Sequence, residues 1–89
     1  GLNIMTIQQV VATEWGVTPE GLKSKTRTKT LTTPRQVAMY LARDLLAMQL
    51  VEIGQAFGGR DHSTVIHSIE RVGECLRDDP EFAGRVEKV

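Results

Sequence analysis

Eighty-nine residues, 40% apolar and 25% charged, fit one small globular domain and exclude a disordered or fibrous chain. The lone cysteine, Cys75, excludes an internal disulfide and a cysteine-built zinc cluster, and suits a cytoplasmic setting. No apolar run approaches the ~20 residues of a membrane helix, no leader-like start is seen, and neither GxxxxGK[ST] nor GxGxxG is present. The formal net charge is zero, but it is unevenly placed: residues 21–43 hold six basic side chains and no acid. Positive charge gathered in one stretch points to a local anion-binding surface. The chain opens on Gly1 rather than Met, which reads as a fragment of a longer protein.

The apolar spacing predicts an all-α chain, a small bundle of about five to six helices. Ile4, Ile7, Val11 and Trp15 form one stripe of a first helix from about Asn3 to Trp15, with Gly16 as its stop. Thr18-Pro19-Glu20 then gives an N-cap, a proline at the first helical position and an acid near the positive dipole end. That second helix is short, about Pro19 to Lys23. A basic loop follows over about 23–33, where cations alternate with hydroxyl residues and no apolar face exists for a strand.

Thr33-Pro34 repeats the cap-and-proline signal, so a central helix is expected from there to about Met48, with Val37, Leu41, Leu45 and Met48 on one face. A short helix covers Leu50 to Phe57, and Gly58-Gly59 breaks it. Asp61 is the N-cap candidate for a longer helix whose stripe is Val65, Ile69, Val72 and Leu76. Asp78-Asp79-Pro80-Glu81 opens a last short helix. Trp15, Met39 and Met48 read as helix-face core, Cys75 as a small apolar side chain, and His67 as partly buried or at a groove edge.

Short helix, glycine turn and longer helix with a polar first turn make a helix-turn-helix over about 50–77. Here the string Ile53-Gly-Gln-Ala-Phe-Gly-Gly-Arg-Asp-His-Ser-Thr-Val65 resembles the C-terminal DNA-binding domain of the DnaA family, the bacterial initiators of chromosome replication. Pro34-Arg-Gln-Val-Ala-Met-Tyr-Leu-Ala-Arg43 and the Lys25–Lys29 loop extend the likeness to roughly Ile4–Leu76.

The resemblance implies that residues 1–89 are a single DNA-binding domain taking short, asymmetric, A·T-containing boxes at a replication origin. It puts Asp61, His62 and Ser63 at base-contacting positions in the major groove, with Asp61 accepting from a cytosine amino group. It puts Arg27 in the adjacent minor groove, whose narrow A·T-rich form is strongly negative. Lys25, Thr28, Lys29, Arg35, Gln36 and Thr64 fall on positions that contact the DNA backbone. Arg60, in the turn, falls near phosphate or a nearby acid. Two residues depart from the family pattern. Val51 stands where some members carry a proline against thymine methyls, and Thr26 stands where an arginine is common.

The resemblance further implies no cofactor in this piece, with ATP held by a preceding domain, double-stranded DNA as partner, a monomeric state, and a cytoplasmic, nucleoid-associated location. Catalysis is not expected: Asp61, His62 and Ser63 are sequence neighbours that point roughly 100° apart on a helix and cannot relay a proton. Nor is metal expected, because His62 and His67 lie five apart rather than at i, i+4. The alternative function is protein–protein docking through the helical surface.

Overall fold

The computed structural model describes all residues from Gly1 to Val89 as six helices and no strand. In chain order they are α1 (Ile4–Trp15), α2 (Pro19–Lys23), α3 (Lys29–Leu46), α4 (Leu50–Ala56), α5 (His62–Asp78) and α6 (Pro80–Glu87). Four of the starts are set by side-chain caps visible in the sequence. Asn3, Thr18, Asp61 and Asp79 each accept a hydrogen bond from the backbone amide three residues on. Pro19 and Pro80 occupy first-turn positions, where a missing N–H costs nothing. Gly16 ends α1 at φ 69°, the left-handed conformation that glycine tolerates best.

Helix α3 is the hub, packing against α1, α2, α4 and α5. Its buried positions are Val37, Ala38, Met39, Leu41 and Ala42, which meet Ile7 and Val11 of α1, Leu22 of α2, Ile53 and Phe57 around α4, and Val65 and Val72 of α5 in one core. The alanines leave room for close approach of the neighbouring helices. Gln8 is also buried, and its amide donates to the carbonyl of Ala56 at 2.9 Å, tying α1 to the end of α4. Trp15 is half-buried. The Arg85 guanidinium of α6 lies 4.4 Å from its ring centroid and pairs with Glu14 at 3.3 Å, which pins α6 to α1.

The structure moves the start of α3 five residues ahead of the Thr33-Pro34 signal. The loop therefore ends at Thr28, and Pro34 sits inside the helix. Thr28 makes no side-chain cap. Its carbonyl accepts from Leu31 and Thr32 instead. Leu31 packs so closely on α2 that a Cβ added to Gly21 would lie 2.8 Å from it. Tertiary packing thus holds a first turn that local cap chemistry does not announce. The far end differs too. α3 stops at Leu46, Leu45 is 53% exposed, and Ala47 takes a left-handed φ of 52° while Arg43 donates to the Met48 carbonyl at 2.6 Å. His67 is fully on the surface, with 82% of its side chain exposed.

The α4–α5 turn is closed on one atom. The Gly54 carbonyl accepts from the amides of Phe57, Gly59 and Arg60 at 3.0–3.2 Å. A Cβ at Gly54 would stand 2.0 Å from the Arg60 carbonyl oxygen, so only glycine permits this approach. Gly54→Ala is therefore expected to destabilise the fold by about 1–3 kcal/mol, read as a lowered thermal midpoint; an unchanged midpoint would refute the steric argument. Ala47→Gly acts in the opposite direction. The left-handed penalty of roughly 1–2 kcal/mol for a residue with a Cβ exceeds the extra chain entropy of glycine, about 0.4–1 kcal/mol. The expected outcome is a raised midpoint in a circular-dichroism melt.

Candidate nucleic-acid interface

The turn and the basic loop are neighbours in space. A Cβ on Gly58 (φ 88°) would lie 2.2 Å from the carbonyl oxygen of Lys23, so the two backbones touch there. Two arginines reinforce this contact. Arg60, from the turn, donates to the carbonyls of Phe57 and Ser24. Arg35, from α3, donates to Leu22 at 2.7 Å, Thr26 at 2.9 Å and Gly21 at 3.2 Å. The Lys25 ammonium adds a bond to the Gly58 carbonyl at 3.3 Å. The residues Ser24 to Thr28 form no helix, yet they are tied from both sides.

Between loop and α5 runs an open groove of about 520 Å³. Lys25, Arg27, Gln36, Arg60 and Thr64 line it, together with the buried Arg35 and Met39. Four of its nine lining residues are cationic and none is acidic. Only two ion pairs exist in the molecule, His67–Glu70 and Glu14–Arg85, so no carboxylate is paired with a groove cation. The first turns of α3 and α5 also lack acidic side chains, leaving their positive dipole ends open apart from the Asp61 cap. A larger hollow of about 680 Å³ lies between Glu14 and α6, but it mixes Asp79 and Glu81 with Arg85 and Lys88 and has no net call on an anion.

Burial weakens the hold of Arg35 on its proton, and the like charge of Arg60 adds to this; burial acts alone on Arg60. Arginine stays protonated even so, and the groove keeps two desolvated cations fixed on neutral carbonyls. Asp61 behaves oppositely. The Thr64 amide donates to its Oδ1 at 2.9 Å, and this bond, followed by one from the Thr64 hydroxyl, holds the carboxyl below its ordinary range. A depressed carboxylate stabilises the fold fully at neutral pH and loses that contribution only as pH falls through the lowered value. At neutral pH Asp61 can only accept hydrogen bonds.

The residues singled out from the sequence fall at several distinct places. Lys25, Arg27, Gln36, Arg60 and Thr64 share the groove. His62 and Ser63 lie in the first turn of α5 just before Thr64; like Asp61 they are exposed. Lys29 lines an adjoining hollow that shares Gln36 and Thr32 with the groove, and Thr28 caps α3 beside it. Val51 is 59% exposed in the first turn of α4 and does not line the groove. Arg35 differs from the rest. It is buried, with its donors spent on the carbonyls of Gly21 and Leu22 in α2 and of Thr26 in the loop, whereas the resemblance implied a DNA-backbone contact. Two groove residues escaped the sequence reading, Thr32 and Ser68. Each lies one helical turn from a residue that was singled out, Gln36 and Thr64, so i±4 spacing could have found them.

Comparison with known proteins agrees with this arrangement. The family described as bacterial dnaA protein helix-turn-helix matches residues 4–72. The chain is 42% identical over 88 residues to the chromosomal replication initiator protein DnaA of Symbiobacterium thermophilum, covering 99% of this chain and 19% of that protein. It also superposes on a crystal structure of a DNA replication initiation factor with a TM-score of 0.83 at 37% identity, covering 96% of this chain and 27% of that one. The chain belongs to the bacterial DnaA helix-turn-helix family.

Proposed function

We propose that this chain is the DNA-binding unit of a replication initiator and recognises short, asymmetric, A·T-containing boxes at a bacterial origin. One observation carries this reading: Arg27 of the loop and Thr64 of the α5 first turn line a single cationic groove free of acids. A duplex lying across it meets α5 from its major groove and the loop from the adjacent minor groove. In this arrangement Asp61, His62 and Ser63 read base edges, and Val51 offers an apolar contact to a thymine methyl. Arg27 is exposed and makes no hydrogen bond within the protein, so its guanidinium is free to enter a narrow minor groove. Lys25, Thr28, Lys29, Gln36 and Thr64 hold phosphates and set register, with Arg35 behind them.

A lone copy suffices for an asymmetric box, so binding as a monomer follows. The relative from Symbiobacterium is about five times longer than the matched stretch, since this chain spans 19% of it. ATP binding, assembly at the origin and cytoplasmic, nucleoid-associated action belong to such a parent protein. No helix here is long and apolar enough to cross a membrane.

The test is selection from a randomised duplex pool, followed by affinity measurements on selected and random duplexes across a salt series. Phosphate contacts give a log–log slope of about −0.9 for each charge neutralised; a flat slope would favour apolar docking to a protein instead. Arg27→Ala is expected to weaken the selected duplex by about 1–3 kcal/mol with the thermal midpoint unchanged, because the side chain buries nothing. Asp61→Asn separates capping from reading. Asparagine caps a helix as well as aspartate, so the fold should hold, while the added amide donor should change the selected base at one position. Recovery of the same box with Asp61→Asn would leave Asp61 as a cap alone.

A further inference from the structure

The groove's cations do two different things. Lys25, Arg27 and Lys29 are exposed. Arg60 is half-buried, and its guanidinium bonds two carbonyls that lie 33 residues apart in sequence, Phe57 of the turn and Ser24 of the loop. No acid lies within ion-pair distance of it.

We propose that Arg60 is a positioning residue rather than a phosphate contact: its planar fork bridges turn and loop and so fixes the distance between Arg27 and the first turn of α5. This rests on the reading of Arg27 and α5 given above. Three observations converge on it. The Gly58–Lys23 approach brings the turn against the end of α2, just before the loop, since a Cβ would be only 2.2 Å from the Lys23 oxygen, but it leaves Ser24–Thr28 to be held by side chains. The second bond across the same junction, from Lys25 to the Gly58 carbonyl, is longer at 3.3 Å and comes from an exposed, flexible side chain. Of the Arg35 bonds to carbonyls only the one to Thr26 reaches the loop, from α3, while those to Gly21 and Leu22 hold α2. Arg60 is therefore the one side chain whose rigid plane sets one donor on the turn, at Phe57, and the other on the loop, at Ser24. A lysine keeps the charge but lacks that paired geometry.

A duplex can satisfy Arg27 and α5 together only where its major-groove contact and its minor-groove contact fall at the separation the protein holds. Loosening the bridge should leave both readers intact but let them act independently. Discrimination between boxes then falls more than attraction to DNA as such.

The experiment uses the 89-residue chain with Arg60→Lys and Arg60→Ala, each checked by thermal melt. In the free protein, 15N relaxation of the Ser24–Thr28 amides should show order parameters falling from about 0.85 to below roughly 0.6 in both variants. The ratio of affinities for selected and random duplexes should fall at least tenfold in both, and this loss should vanish when Arg27→Ala is already present. The salt slope should keep its wild-type value, because no phosphate contact is removed. Restoration by lysine, together with a slope flattened by about 0.9 in Arg60→Ala, would make Arg60 a phosphate contact and overturn the proposal. Unchanged loop order in a folded Arg60→Lys would overturn it as well, while leaving the reading of Arg27 untouched. Arg27→Ala with undiminished discrimination would overturn that reading, and this one with it.

Discussion

The arrangement depends on guanidinium groups bonded to backbone carbonyls. Arg35 and Arg60 reach the stretch Gly21–Thr26 from opposite sides and occupy its carbonyl oxygens. Such charge-assisted bonds are each stronger than neutral ones. They also give hydrogen-bond partners to the carbonyls of Ser24 and Thr26, which lie outside any helix. The loop has almost no apolar residue with which to pack, so without these bonds nothing in its own composition would order it. Fixing one residue of backbone costs about 1–2 kcal/mol. Meeting that cost during folding, rather than during binding, is what the minor-groove role proposed for the exposed Arg27 would require.

Most helix boundaries were legible because they rest on local chemistry. Asn3, Thr18, Asp61 and Asp79 cap through their own side chains, and Gly16 stops α1 through its own φ. The glycine turn and the stripe Val65–Val72 marked the helix-turn-helix by the same logic. The start of α3 was not legible, because Thr28 caps without a side-chain bond and the turn after it depends on Leu31 meeting α2. Pro34 even pointed elsewhere, since a proline after a threonine commonly opens a helix. Leu45 misled for a related reason. Its spacing fits the stripe, but α3 runs past the core before it ends.

Site residues divide along the same line. That Asp61 is exposed and ionised at the head of α5 follows from its cap position, and the exposure of His62 and Ser63 follows from the stripe that begins at Val65. The resemblance put Lys25 and Arg35 alike at DNA-backbone positions and left Arg60, in the turn, near phosphate or a nearby acid. Their differences come from long-range partners: Arg35 is buried on the carbonyls of α2 and the loop, Arg60 bridges turn and loop, and Lys25, though exposed, reaches the Gly58 carbonyl. No local pattern encodes which cation will find a carbonyl many residues away. Gln8 illustrates the point again, being a polar residue on an apolar helix face whose partner, the Ala56 carbonyl, is 48 residues off.

The choice of carbonyls over carboxylates has an electrostatic consequence. An acid paired with Arg35 or Arg60 would have anchored the loop equally well and would have relieved the burial of charge. It would also have cancelled the field in the groove. Neutral acceptors stabilise the guanidiniums locally yet leave their charge to be felt by whatever approaches. Apart from Asp61 at the head of α5, acids of the C-terminal half such as Glu70, Glu74, Asp78, Glu81 and Glu87 stand on exposed positions of α5 and α6, and none of them pairs with a groove cation. At physiological salt, charges beyond about 8 Å are largely screened from one another. A chain with no net charge can therefore present a strongly positive groove, and the same bonds that order the loop keep that groove unneutralised.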